Sequence, residues 1–153
     1  MRLTPVQRQS LGSAVCVAGL SGMAYCHIHD VGMKVEEHIY YMAALFWGNI
    51  AASLLLIPFV ARETVRPSAR GWLVWCGASV LAALTMLGFL WSRTIGFPQM
   101  ADHVGEWDGL GVSSLVFEGL VVIVAAWRLR QLARRRDRGP RARTLRVPTA
   151  ARG

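Results

Sequence analysis

Gly71–Ser92 reads GWLVWCGASVLAALTMLGFLWS and contains no Asp, Glu, Lys or Arg. About 20 mostly apolar residues, wound as a helix, cross roughly 30 Å of hydrocarbon. In lipid an open segment must satisfy its own backbone groups, and a helix does so. The stretch therefore predicts a transmembrane helix. Working outward, Ile39–Ala61 precedes it and Gly109–Trp127 follows it, both similarly apolar. Ser10–Ile28 is the weakest of the four, being short and rich in Gly and Ser. The chain has 153 residues, 54% of them hydrophobic, and four spans occupy more than half of it. That leaves one membrane domain, residues 1–127, followed by a basic tail, residues 128–153. A cleaved signal peptide is the other use for the first segment, with Arg2 and Arg8 as its basic start. No small-x-small cleavage site follows it, because Tyr25, Cys26 and His27 stand there.

Lys and Arg accumulate in cytoplasmic segments. Arg2 and Arg8 precede span one. Arg62, Arg66 and Arg70 separate spans two and three, and ten arginines follow Trp127. The loops 28–38 and 93–108 hold only Lys34 and Arg93, so the division is fifteen against two. Both termini are expected to be cytoplasmic, in the plasma membrane, with the two sparse loops outward. Asp30, Glu36, Glu37, Asp102, Glu106 and Asp108 fall in those outward loops, as do His29, His38 and His103, with His27 at the edge of span one. Short connections between consecutive spans predict an all-α, up-down antiparallel four-helix bundle. Small residues should let the helices approach. The candidates are Ala14, Ala18 and Gly22 in span one, and Ala44, Gly48 and Ala52 in span two. Ala78 and Ala82 in span three and Gly109 and Ser113 in span four complete the set. Tyr40, Tyr41, Trp72, Trp91, Trp107 and Trp127 stand at span ends, as an aromatic belt requires.

Glu118 is the foremost candidate for chemistry. It lies nine residues into span four, about 13 Å below the outer surface at 1.5 Å per residue. An ionisable group at that depth is costly and is a functional hypothesis by default. Asn49 is expected at nearly the same depth and within hydrogen-bonding reach. Ser114 stands one turn away on the same face, and Thr85 is somewhat shallower. Such a carboxyl either binds a proton or substrate in the bundle core, or joins helices as an ordinary polar contact; the second use is ranked first.

The outer loops hold the other candidates. Cys26, His27, His29, His38 and His103, with neighbouring acids, are residue types that bind Cu or Zn. Their spacing matches no standard metal motif. Haem ligation is disfavoured, because the histidines crowd at one end with no second set. Cys16 and Cys76 read as packing residues, and without a CxxC pair a thiol relay has no basis. Arg93 is expected either to pair with Glu36, Glu37, Asp102 or Glu106, tying the outer loops together, or to reach the headgroups. The cytoplasmic tail is expected to be disordered beyond its first helical turns and to lie on anionic lipid, each charge contributing about 1 kcal/mol. Nucleic-acid binding is not needed to explain it, since a polybasic stretch after a last span is a normal stop signal.

Ser92-Arg93-Thr94-Ile95-Gly96-Phe97-Pro98, then Glu106-Trp107-Asp108-Gly109-Leu110-Gly111-Val112-Ser113-Ser114-Leu115 and Glu118, resembles a pattern in four-span actinobacterial membrane proteins of unknown function. The resemblance covers about the last third of the bundle. Sixteen arginines against one lysine also fit a GC-rich genome. It implies a small integral membrane protein in which Arg93 and Glu118 occupy the matching positions, and it carries no activity. No catalytic residue is assigned, and an enzyme ranks behind a non-enzymatic protein. An accessory or structural subunit of a larger membrane complex is the first functional expectation. A small proton-coupled transporter using Glu118, or an outer-face Cu/Zn protein using the histidines, is the alternative.

Overall fold

A computed structural model describes residues 4–144. The described chain is all-helical. α1 spans Pro5–Glu36, α2 Tyr40–Val65, α3 Gly71–Thr94 and α4 Gly109–Thr144, with a 3-10 turn at Ala101–His103. All four α-helices are long and apolar enough to cross a membrane.

The helix ends show where the sequence-based boundaries needed moving. Thr4 caps α1 through a reciprocal box: its hydroxyl accepts from Gln7 N–H, and Gln7 Oε1 accepts from Thr4 N–H at 2.8 Å. Such a box satisfies donors that the first turn leaves free. At its far end α1 does not stop at Ile28 but runs to Glu36, so most of the expected 28–38 loop is helical. Nothing between Ile28 and Glu36 breaks a helix except Gly32, and polar residues do not end a helix as they end a hydropathy window. The connection to α2 is therefore only residues 37–39. His38 closes it with φ 60°, and Ile39 N–H donates to Lys34 C=O at 2.9 Å. This is a Schellman-type stop, which favours Gly at the left-handed position. His38→Gly is accordingly expected to stabilise the fold by about 0.5–1 kcal/mol. A lower thermal midpoint in detergent would contradict this role for His38.

α4 likewise passes its expected end at Trp127 and continues to Thr144. Leu, Arg, Gln and Ala are good helix formers, and Leu129 and Leu132 still pack against the core. Arg128 is no solvated tail residue: it is buried, with its guanidinium 5.1 Å from the centroid of the Trp75 ring. The remaining tail, 145–153, lies outside the described residues.

The core gathers around Cys16, Leu20, Met23, Val60, Trp75, Ala78, Ala82, Val121 and Ala125. Ala78 and Ala82 are fully buried, as expected of a small-residue contact. The other stripes are placed differently. Ala14 and Ala18 are exposed, and so are Ala44, Gly48, Gly109 and Ser113. Of the span-one stripe only Gly22 lies at a helix contact, against Phe117 of α4; Gly12 and Gly19, outside that stripe, complete the contact against Trp127 and Val121. A four-residue spacing identifies a smooth face but not the direction in which it points. Elsewhere large apolar side chains face outward, among them Leu55, Val80, Leu84, Leu87 and Ile123. Tyr40, Tyr41, Trp72, Trp91 and Trp107 are exposed at helix ends.

At one end Glu63, buried, accepts Ser68 N–H at 3.0 Å and the Ser68 hydroxyl at 2.5 Å, closing the link between α2 and α3. At the other, Ile39, Met42 and Met100 form a small cluster with Phe46 and Phe97, seating the 95–108 segment on the start of α2. The hydroxyl of Tyr41 donates to the Pro98 carbonyl there. This second end, toward which all four histidines lie, is termed the histidine end below.

Candidate functional site: a cavity beneath an ionic rim

A cavity of about 520 Å³ opens at the histidine end and is lined by all four helices. Glu118, Ser114, Asn49 and Thr85 contribute its polar residues inside the bundle. Lys34, Glu37, Arg93, His103, Glu106 and Asp108 form a charged rim. Phe46, Phe89, Leu81 and Leu84 are among its apolar walls.

Glu118 is completely buried. Its Oε1 accepts the Ser114 hydroxyl at 2.8 Å, one turn earlier on α4, while Oε2 has no hydrogen-bond partner among the described residues. The expected bond to Asn49 is not formed. Asn49 Nδ2 donates to Thr85 Oγ1 at 2.6 Å, and its Oδ1 accepts from Ser53 at 3.3 Å. These bonds occupy Asn49 within α2 and across to α3. The two polar groups share one cavity without touching.

The rim joins separate parts of the chain. Lys34 is buried; its ammonium donates to Glu37 Oε2 at 2.6 Å and stands 3.0 Å from His103 Nε2. His103 Nδ1 lies 3.3 Å from Glu106 Oε2. Glu106 Oε2 in turn lies 4.0 Å from Arg93 Nη1. Arg93 Nη2 donates to Asp108 Oδ2 at 2.5 Å, and Nη1 donates to the His103 carbonyl at 3.3 Å. Asp108 also caps α4, its Oδ1 accepting Gly111 N–H at 2.6 Å. Of the four acids expected to meet Arg93, only Glu106 does so. Glu36 and Asp102 are exposed elsewhere, and Glu37 belongs to Lys34. Lys34, counted in the sequence only as a topology charge, makes the tie between the two loops that Arg93 was expected to make. Asp108 was missed as well, although an Asp directly before an apolar run is an N-cap signal.

The hydrogen bond from Lys34 holds the Glu37 carboxyl below the usual carboxylate range, against a smaller opposing effect of burial. With the folded value below the unfolded one, this contact's stabilisation is fully present above the ordinary glutamate range. It disappears as the pH falls through the lower, folded value. Glu37 is partly exposed, so the effect should stay within about 1 kcal/mol. A carboxyl-carbon NMR titration in which Lys34→Met leaves the Glu37 midpoint unchanged would contradict the assignment.

The expected metal ligands do not converge. Among the described residues, no group of three or more His, Cys, Asp or Glu is arranged to hold a metal ion. Cys26 is a buried free thiol, His29 is exposed, and His38 forms the turn into α2, edge-on to Tyr40 at 5.9 Å. His103 serves the rim. His27 is buried in the cavity wall, its ring 4.8 Å from Phe46, and neither ring nitrogen has a hydrogen-bond partner among the described residues. Adjacent residues on a helix point about 100° apart, so Cys26 and His27 face different neighbours.

The assembled geometry is thus a pocket with apolar walls, an ionic mouth and two buried polar side chains, Glu118 and His27, with unused hydrogen-bonding capacity. Comparison with protein families, with curated proteins and with solved structures found no match.

Proposed function

We propose that the chain is a small multi-pass plasma-membrane carrier that exchanges protons for a small molecule, with Glu118 holding one or the other. The single observation supporting this is the cavity itself: about 520 Å³, within the size range of ligand pockets, containing a fully buried carboxyl with one unpartnered oxygen. An intramembrane carboxyl used only to join helices would have its partner on another helix, whereas the hydrogen bond of Glu118 is to Ser114 of its own helix. A role by contact alone does not call for such a pocket, and the cavity therefore favours the carrier reading over an accessory subunit. That reverses the order expected from sequence.

In this proposal the helices run up and down in antiparallel order, both termini are cytoplasmic, and the arginine-rich end lies on anionic lipid. The rim then faces outward and the cavity reaches toward the bilayer midplane, where carriers place their binding groups. The test is reconstitution of the full chain in proteoliposomes holding an internal pH indicator, with proton flux followed as opposing gradients of cationic, anionic and neutral small molecules are imposed. Substrate-driven proton flux with at least one class supports a carrier. Silence across all classes, together with a stoichiometric membrane partner in a mild-detergent pull-down, would restore the accessory role.

A further inference from the structure

The charges around the cavity do not balance. Asp30, Glu37, Glu106, Asp108 and Glu118 line it against only Lys34 and Arg93 as fixed cations. Both cations are already engaged: Lys34 by Glu37, and Arg93 by Asp108 and Glu106. Two acids remain. Asp30 makes no hydrogen bond or salt bridge among the described residues, and Lys34 and Arg93 act on it only through space. Glu118 is wholly buried with Oε2 unpartnered. A buried polar atom without a partner is costly, and a ligand of complementary charge recovers that cost. The walls between these acids are apolar and aromatic. Arg93 already sits 5.1 Å from the Phe89 ring centroid, so this wall accepts a cation over a ring.

Leu45 and Gly48 of α2 and Leu84 of α3 line the cavity and are themselves exposed, which makes the side between α2 and α3 its candidate entrance from the bilayer, away from the ionic rim.

We infer that the cavity takes a lipophilic organic cation, an ammonium or phosphonium carrying aromatic or branched apolar groups, with the Glu118 carboxylate as its counter-ion. This rests on the carrier reading of the same site. The cation enters between α2 and α3, buries its apolar groups against Phe46 and Phe89, and brings its charge toward Glu118. Asp30, nearer the rim, adds a long-range attraction that an anion would feel as repulsion.

Equilibrium dialysis of the full-length protein in neutral-detergent micelles, referenced to protein-free micelles, tests this with tetraphenylphosphonium and tetraphenylborate. The two share four phenyl arms and differ in charge; triphenylphosphine oxide serves as a neutral third probe. The cation should be retained at least about tenfold more tightly than either of the others, a difference of about 1.4 kcal/mol. Glu118→Gln should remove most of that preference, and Asp30→Asn part of it. Gly48→Phe should reduce retention of the cation, because a Cβ at Gly48 meets nothing within 4 Å and the ring then fills the flank. Equal retention of all three probes, or preference for the anion, overturns the cation assignment while leaving a ligand cavity in place. No retention of any probe by the folded wild type overturns the cavity reading and this inference with it. If Glu118→Gln fails to fold, the wild-type preference and its partial loss in Asp30→Asn decide the matter.

Discussion

Glu118→Gln should abolish proton-coupled transport and leave the bundle folded. Gln has nearly the volume of Glu and keeps an oxygen that can accept the Ser114 hydroxyl, now bonded to Oε1 at 2.8 Å. The cavity wall therefore stays intact. What disappears is the ability to gain and release a proton and to carry a negative charge. Removing one partner of a desolvated charged contact costs about 2–5 kcal/mol, or roughly thirtyfold to several thousandfold in affinity. Transport should fall to the level of protein-free vesicles, while the thermal midpoint stays close to that of the parent. Glu118→Asp retains the charge on a shorter stem and should retain some activity. A Glu118→Gln protein that still couples transport to the pH gradient would remove this carboxyl from the mechanism. A variant that unfolds instead would show that the group holds helices together.

The second large effect concerns stability. Gly19→Val should destabilise the bundle by about 1–3 kcal/mol or more, through overpacking at the contact between α1 and α4. A Cβ at Gly19 would lie 2.6 Å from Val121 Cγ2 and 3.1 Å from the Phe117 carbonyl oxygen. The valine methyl can rotate away; the carbonyl belongs to the α4 backbone and moves only if the helix moves. Gly22 is tight as well, but there the obstacle is the ring of Phe117, which has some freedom to tilt. Gly48 supplies the control, since a Cβ there meets nothing within 4 Å. Gly48→Val should therefore unfold near the parent temperature, and Gly19→Val well below it, when both are followed by tryptophan fluorescence in the same detergent. Equal midpoints would mean that α1 and α4 do not approach as described.

Much of the architecture was legible because hydropathy acts over whole segments. Four apolar blocks predicted four helices, and four helices of sufficient length and apolarity are present. Their ends were less legible. Ile28 and Trp127 marked where apolar residues stop, whereas α1 runs on until His38 closes it and α4 continues past Trp127 to Thr144. Ala14, Ala18, Ala44 and Gly48 are exposed, and of the α1 stripe only Gly22 meets a neighbour, for another reason: both sides of a membrane helix are apolar, so hydropathy does not tell the face toward lipid from the face toward a neighbour.

The candidate site divides in the same way. Glu118 stood out because a carboxyl among apolar residues has no local explanation. Asn49 and Thr85 were identified from depth, and Ser114 from its place one turn from Glu118 on the same face; all three line the cavity with it. Depth did not decide partners, and Asn49 bonds to Thr85 and Ser53 rather than to Glu118. The histidines were conspicuous as a group but have separate duties: His27 in the cavity wall, His38 in a turn, His103 in the rim. A cluster in sequence is a metal site only if the fold brings its ring nitrogens to one point.

By itself, then, the sequence determined that this chain forms four long apolar helices, that its charges divide toward the two ends, and that one acid is buried among them. Each of these depends on composition along the chain. Only the tertiary structure decided that Lys34 ties its helix to the His103 loop, that Arg93 belongs to Asp108, and that Glu118 faces a cavity with an oxygen to spare. Those are choices among partners at equal depth. They depend on the rotation of each helix about its own axis, which side-chain packing sets and hydropathy does not.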